Sequence, residues 1–91
     1  MPPRSRQSAN PYSLTFGGRV REERLRLGLT QEGLADRCGI HFTYLGRIER
    51  GEQNVTLETI LKISAALGVD PADLVSGLDG RSLIPKRRRR R

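Results

Sequence analysis

Apolar residues recur at helical spacing along most of the chain, and glycines or capping residues interrupt the pattern at short intervals. In the first such stretch, residues 17–29, Val20, Arg24 and Leu27 share one helical face, and Gly28 stands where a left-handed C-cap is needed. No stretch alternates with a period of two, and no turn dipeptide joins two β-branched runs. The pattern therefore predicts an all-α protein whose first helix lies over 17–29.

Two short helices are predicted next, joined by a tight turn. Thr30 can cap a helix over 31–38 that ends at Gly39, and a third helix over 41–50 ends at Gly51. The residues predicted to point inward from these helices are Leu34, Ala35, Cys38, Leu45 and Ile48. The outward face of the third helix then carries Phe42, Thr43, Gly46, Arg47 and Arg50.

Two further helices complete the predicted fold. Thr56 is the expected N-cap of a helix over 57–67, which ends at Gly68. Asp70 and Pro71 supply an N-cap and a proline in the first helical position, which together signal the start of a last short helix. The apolar residues of these two helices are Ile60, Ile63, Leu67, Leu74 and Val75.

The formal net charge of +7 is concentrated at the two ends of the 91-residue chain. Residues 17–78, which hold the periodic apolar positions, carry eight basic and nine acidic side chains. A chain of this length with 35% hydrophobic residues supports one small domain. We therefore expect a flexible basic arm over 1–15, a packed domain over 16–78 and a disordered Arg-rich tail over 79–91.

The last six residues are all basic and have no apolar neighbour that would help them to pack. They are Lys86, Arg87, Arg88, Arg89, Arg90 and Arg91. Such a run is drawn to polyanions, so an accessory contact with nucleic acid is one interpretation. A solubilising charge run and a targeting signal are the alternatives.

The residues available for catalysis or metal binding are few. Cys38 and His41 are the only cysteine and histidine, too few for a disulfide framework or a protein-made metal site, and Cys38 is most simply a core residue. No nucleophile has a histidine and a carboxylate at credible spacing, and Gly17-Gly18 lacks the GK[ST] continuation of a phosphate loop.

We therefore expect no enzymatic activity, no cofactor and no metal. The chain is also too short for a separate ligand-sensing domain, so no small-molecule ligand is expected. The polar N-terminus has no export signal, and nowhere do 18 apolar residues follow one another, which predicts a cytoplasmic protein with no membrane partner.

The two short helices around Gly39 have the spacing of a helix-turn-helix, in which the first helix braces the second against the DNA major groove. Their sequences are LTQEGLADRCG over 29–39 and LGRIERG over 45–51, and ALGV follows over 66–69. Together they resemble the phage-repressor-like (XRE or Cro/cI) helix-turn-helix family over about residues 16–78. The TYL, IERG and NVTL segments look most like small restriction-modification controller proteins. The resemblance implies a five-helix bundle of the lambda-repressor-like type.

The resemblance also implies a bacterial transcription regulator whose partner is double-stranded DNA. One domain covers about half a site, so a homodimer on a pseudo-palindromic operator is expected. After the core has been assigned, the residues left for its interface are Leu61, Val75 and Leu78. The alternatives are a protein-interaction adaptor or antitoxin-type partner on the same scaffold, or RNA binding through the Arg-rich tail. The outward Thr43, Arg47 and Arg50 favour DNA, and the shortage of aromatic residues argues against single-stranded RNA.

The first half of the third helix is expected to read bases. Phe42 can contact a thymine methyl group, and Thr43 can donate or accept a hydrogen bond. Arg47 lies one turn beyond Thr43, where a bidentate contact to guanine would be the commonest specific contact in the groove. The alternatives are packing for Phe42 and a phosphate contact or plain solvation for Arg47.

Other polar residues are expected to position the domain on the DNA backbone. The resemblance places Gln31 at the start of the bracing helix, where its backbone N–H and side-chain amide can grip a phosphate and steady the neighbouring reading side chain; a solvated glutamine is the alternative. His41 either caps the third helix or faces a phosphate, and Tyr44 contacts a phosphate or packs. The full phosphate-positioning set is Gln31, His41, Tyr44, Arg50, Gln53 and Asn54.

The resemblance further implies a structural ion pair between Arg24, on the apolar face of the first helix, and Glu49, on the inward side of the third. The chain departs from the family pattern at Gly33 and Gly46, where longer residues are usual. A glycine inside a helix costs about 1 kcal/mol relative to alanine. Gly46 is interpreted as a tolerated surface glycine, or as one that lets the third helix lie nearer the sugar-phosphate edge.

Overall fold

The computed structural model describes residues 10–85, and in that range every regular element is helical. The elements are α1 (Pro11–Arg26), α2 (Gln31–Cys38), α3 (Phe42–Glu49), α4 (Leu57–Leu67), α5 (Pro71–Val75) and a 3-10 turn (Gly80–Leu83). The predicted all-α, five-helix fold is confirmed. Within this range no helix is both long enough and apolar enough to span a membrane.

The predicted caps set the ends of the helices. Thr30, Thr56 and Asp70 each accept a hydrogen bond from a backbone N–H of the first turn, at 2.9, 3.1 and 2.9 Å. Gly39 and Gly68 close α2 and α4 in the left-handed conformation, each with φ of 73°. Because these signals are local, the sequence predicts α2 and α4 at their observed bounds and α5 at its observed start. α5 ends at Val75, before Gly77, the glycine that was expected to end it.

The first helix begins earlier than the sequence pattern predicts. The Asn10 side chain accepts a hydrogen bond from the backbone N–H of Ser13 at 2.8 Å, and Pro11 occupies the first helical position. The expectation of a flexible arm over 1–15 is therefore wrong for residues 11–15, and residues 1–9 lie outside the described range. Asn10-Pro11 is the same start signal as Asp70-Pro71, so the sequence did contain it.

The expectation of a disordered tail over 79–91 is wrong for the first residues of that segment. A 3-10 turn forms over Gly80–Leu83, and the hydroxyls of Tyr12 and Ser82 lie within hydrogen-bond distance at 2.8 Å. This segment therefore packs back towards the start of α1. The six basic residues that follow Pro85 lie outside the described residues.

One hydrophobic core is shared by all five helices. Its buried members are Phe16, Val20, Leu34, Ala35, Cys38, Leu45, Ile48, Ile63, Leu67 and Leu74. The predicted inward residues of α2 and α3 are confirmed, and Cys38 is a core residue whose burial raises the pKa of its thiol. Leu27 is 39% exposed, contrary to the predicted inward face, because α1 ends at Arg26 and Leu27 is its C-cap.

The closest approach of α1 to α3 depends on Gly17. A Cβ atom at this position would collide with the carbonyl oxygen of Ile48 and lie 2.8 Å from that of Glu49. The end of α3 therefore rests directly on the backbone of α1. The sequence pattern places Gly17 at the start of the first helix and does not predict this contact, because nothing local indicates which helix lies against it.

Candidate nucleic-acid interface

The third helix is buried along one side and exposed along the other. Leu45 and Ile48 are almost completely buried at 0% and 1% exposure, and Glu49 is buried beside them. The side chains exposed on the remaining surface of α3 and at its two caps are His41, Phe42, Thr43, Arg47 and Arg50. α2 reaches α3 through Gly39, and the backbone N–H of Ile40 closes the turn on the carbonyl of Ala35 at 3.1 Å. The arrangement is a helix-turn-helix with an accessible second helix.

His41 is the N-cap of α3. Its Nδ1 accepts the backbone N–H of Thr43 at 3.1 Å, and its ring stacks on Phe42 with centroids 5.0 Å apart. Phe42 remains 44% exposed, although stacking on His41 covers part of it. A stacked, partly exposed aromatic pair therefore lies at the N-terminus of α3, in a part of the helix that base reading would use.

The remaining predicted base readers are accessible. Thr43 and Arg47 are both exposed and lie one turn apart on α3. Tyr44 is half-buried and packs against the hydrophobic core. Its packing role is therefore observed, and a phosphate contact by Tyr44 stays a prediction. Gln53 is half-buried and Asn54 is exposed in the loop after α3.

Arg24 and Glu49 form a buried bidentate ion pair between α1 and α3. Arg24 Nε and Nη2 donate to Glu49 Oε2 and Oε1 at 2.7 and 2.9 Å, and Nη1 donates to the carbonyl of Leu29 at 2.8 Å. The hydrogen bond with Glu49 raises the pKa of Arg24 above its usual range. The pair fixes the C-terminal end of α3 on α1, which holds the exposed helix in place.

Gln31 uses its side chain inside the protein. Its Nε2 donates to Glu49 Oε1 at 3.0 Å, so the side-chain amide is not simply solvated at the start of α2.

Gly46, interpreted from sequence as a surface glycine on the outward face, is buried, and that interpretation is wrong. A Cβ at Gly46 would lie 3.3 Å from Arg50 Nη1 and 3.5 Å from Gln31 Oε1, because these two side chains cover the position.

The Arg50 side chain is paired with an acidic residue that sequence reasoning did not single out. Arg50 Nε lies 3.1 Å from Glu52 Oε2 on the surface, and this pairing lowers the pKa of the Glu52 carboxyl. Arg50 therefore carries a partly compensated charge next to the exposed face of α3. Arg50 and Glu52 are two residues apart across the end of α3, whereas ion pairs within a helix have a longer spacing. The sequence pattern therefore did not predict this pair.

Of the predicted dimer residues, Leu61 lies on α4, Val75 is the last residue of α5, and Leu78 follows α5. Leu61 and Val75 are 47% and 37% exposed, and Leu78 is half-buried. Val75 and Leu78 line a pocket of about 300 Å³ together with Leu83, which lies in the segment that was expected to be disordered. Across residues 10–85, no three His, Cys, Asp or Glu side chains gather closely enough to hold a metal ion.

These features define a class of protein. A helix-turn-helix family model (HTH_3) matches residues 20–74, so the chain belongs to the helix-turn-helix family of DNA-binding transcription regulators, which are not enzymes. The predicted XRE-like family membership is confirmed.

Within this class, the chain is similar to control proteins of restriction-modification systems. It is 51% identical to control protein C.BamHI of Bacillus amyloliquefaciens over 67 residues, which are 72% of this chain and 83% of that protein. The restriction-modification controller protein C.AhdI from Aeromonas hydrophila superposes with a TM-score of 0.67 at 45% identity, covering 68% of this chain and 94% of that one.

The lambda-repressor-like fold is also confirmed by comparison with a DNA complex. The P22 c2 repressor, solved with a synthetic operator, superposes with a TM-score of 0.64 at 31% identity. The match covers 68% of this chain and 94% of the repressor chain.

Proposed function

We propose that the protein is a sequence-specific transcription regulator that inserts α3 into the DNA major groove and binds a pseudo-palindromic operator as a homodimer. The observation that carries this proposal is the contrast between the two sides of α3. Its rear is anchored by Leu45, Ile48 and the buried Arg24–Glu49 pair, while Phe42, Thr43 and Arg47 on its front are exposed. A helix of this kind has the accessibility and the rigidity that base reading requires.

The division of roles on α3 follows from exposure and chemistry. Arg47 can donate two parallel hydrogen bonds to guanine, and Thr43, one turn earlier, can reach the neighbouring base edge. Phe42 presents an apolar ring to a thymine methyl group, and its stacking on His41 keeps the ring from collapsing onto the protein. These three residues form the proposed base-reading set.

The DNA backbone is contacted on either side of that set. The first backbone N–H groups of α2, at Gln31, can donate hydrogen bonds to a phosphate at the helix N-terminus, and the loop after α3 offers a second set of contacts. The proposed phosphate-positioning residues are Gln31, His41, Tyr44, Arg50, Gln53 and Asn54. Because Arg50 is already paired with Glu52, a phosphate contact by Arg50 competes with an existing ion pair.

Dimerisation is proposed through the side of the domain that carries α4 and α5. Leu61 and Val75 expose apolar surface there, and Leu78 extends it. A symmetric pair would place two α3 helices towards successive major grooves, with half-sites about one helical turn apart. Leu61→Glu should then lower both the dimer fraction in sedimentation and the affinity for a two-half-site duplex, without lowering the affinity for a half-site.

The similarity to control proteins suggests the genes that are regulated. We infer that the protein acts in the bacterial cytoplasm, on nucleoid DNA, as a controller of a restriction-modification system. The basic residues 86–91 would add a sequence-independent contact with phosphates. Footprinting of the DNA upstream of its own gene tests this assignment, and protection of one symmetric site is expected there.

Selection from random duplexes at two salt concentrations tests the DNA-binding proposal as a whole. The expected product is one enriched pseudo-palindrome, recovered at both salt concentrations, with half-sites about one turn apart. Enrichment of no sequence, or binding that disappears when residues 86–91 are deleted, would overturn the proposal. The duplex without the enriched site serves as the matched non-specific control.

A further inference from the structure

The side chain of Gln31 connects the beginning of α2 to the rear of α3. Its amide nitrogen donates to Glu49 Oε1 at 3.0 Å, the same oxygen that accepts from Arg24 Nη2 at 2.9 Å. Arg24 in turn donates to the carbonyl of Leu29 at 2.8 Å, just before the start of α2. A closed network therefore joins α1, the α1–α2 turn, the first residue of α2 and the last residue of α3.

Gly46 provides the space in which this side chain lies. An alanine Cβ at Gly46 would be 3.5 Å from Gln31 Oε1 and 3.8 Å from Nε2, which are ordinary contact distances. It would be 3.3 Å from Arg50 Nη1, the far end of a flexible, exposed side chain that can move aside. Any longer side chain directed the same way would enter the volume that the Gln31 amide occupies. The glycine that departs from the family pattern is thus complementary to Gln31, which lies across it.

We propose that Gln31 is a positioning residue for α3 and that Gly46 is the slot that admits it. The proposal rests on the proposed function, because it concerns how the base-reading helix is set relative to the phosphate-binding start of α2. The backbone N–H groups at the start of α2 and the side chains of α3 must meet the same stretch of duplex at once. The bond from Gln31 to Glu49 fixes the distance between these two contact points from inside the protein.

The sequence suggested two roles for the Gln31 side chain, gripping a phosphate and steadying a neighbouring reading side chain, and neither of them involves Glu49. A side chain that only grips a phosphate contributes equally on every duplex, because phosphates carry no sequence information. A side chain that sets the position of α3 contributes where base edges must be met, and it contributes little on random DNA. The ratio of operator affinity to random-duplex affinity therefore separates the two roles.

The first experiment replaces Gln31 by methionine, which keeps the length and removes the amide. We expect Gln31→Met to lower operator affinity about tenfold, the scale of one hydrogen bond to a charged group, with little change on a random duplex. Both affinities are measured at a temperature where both proteins are fully folded. Equal losses on the two duplexes would show a phosphate contact and would overturn the proposal, as would no loss on either.

The second experiment tests the slot. Gly46→Ala should keep the discrimination ratio, because its Cβ meets Gln31 only at contact distance, whereas Gly46→Gln should lower it as Gln31→Met does. In the Gln31→Met background, Gly46→Gln should cause little further loss. Gly18→Ala is the matched helix-interior control, since a Cβ there meets nothing within 4 Å. Additive losses from Gly46→Gln and Gln31→Met would contradict the shared site.

A measurement without DNA keeps this inference separate from the proposed function. In urea unfolding, the cost of Gln31→Met should largely disappear in an Arg24→Met/Glu49→Leu background, because residue 49 then offers no oxygen to accept from the Gln31 amide. If no duplex is discriminated by the natural protein, the proposed function fails while this coupling remains. If operator binding is intact and the coupling is absent, only the positioning role fails.

Discussion

Replacing Arg24 by alanine removes one partner of the buried ion pair and leaves the other in place. The side chain of Glu49 is only 2% exposed, so its carboxylate would keep the Gln31 amide and lose both bonds from the guanidinium. Breaking one member of such a pair costs about 3–5 kcal/mol, because a buried charge is left without compensation. The carbonyl of Leu29 would lose its bond from Arg24 as well.

That cost is large compared with the stability of the domain. A single domain of this size is stable by roughly 5–10 kcal/mol, so Arg24→Ala should leave it marginally folded. Urea unfolding followed by circular dichroism measures the loss, at one fixed protein concentration because the proposed dimer makes stability depend on concentration. The midpoint should fall while the slope stays unchanged.

The double variant Arg24→Met/Glu49→Leu is the matched control. Replacing a buried ion pair by apolar residues of similar volume is often neutral, so the double variant should be more stable than Arg24→Ala alone. It should still fall below the natural protein by about 1–3 kcal/mol, since Leu29 and Gln31 lose a partner. A loss under about 1 kcal/mol for Arg24→Ala, or a double variant less stable than Arg24→Ala, would refute this account of the pair.

Three further predictions concern the tail, the helix contact and the core thiol. Deleting residues 86–91 should flatten the salt dependence of operator binding by up to about 0.9 log unit per lost phosphate contact while site preference is kept, whereas Arg47→Ala should lose site preference. Competition titrations of operator against random duplex at several salt concentrations measure both properties. The reverse pattern would show that the tail reads the sequence and that Arg47 does not. Gly17→Ala should destabilise by about 1–3 kcal/mol or more through overlap with Ile48, against a slight gain for Gly18→Ala, and equal melting temperatures would contradict this close approach. Burial raises the pKa of the Cys38 thiol, so the stability that the protonated thiol contributes is complete below the usual thiol range and is lost as pH rises through the folded pKa. The urea midpoint of Cys38→Ala should therefore decline less steeply at alkaline pH than that of the natural protein. Parallel declines would show that the thiol is not the cause.

Much of the fold followed from signals that act within a few residues. Thr30, Thr56 and Asp70 cap their helices as predicted, and the helical spacing of Leu45 and Ile48 gave the buried side of α3 correctly. These features are predictable because a cap bonds to its own first turn and a helix repeats every 3.6 residues. The same signal occurs at Asn10-Pro11, and the four-residue spacing of Phe16 and Val20 continues the helical pattern that follows it.

The sequence by itself determined which segments are helical, where most of them end, and which side of α3 is exposed. Only the tertiary structure decided that Gly17 lies against the end of α3, that Gly46 is covered, and that Gln31 turns inward to Glu49. The physical reason is distance along the chain. A cap or an apolar stripe is complete within one element, whereas the space beside a glycine and the partner of an amide are supplied by residues of other elements, whose arrangement only packing establishes.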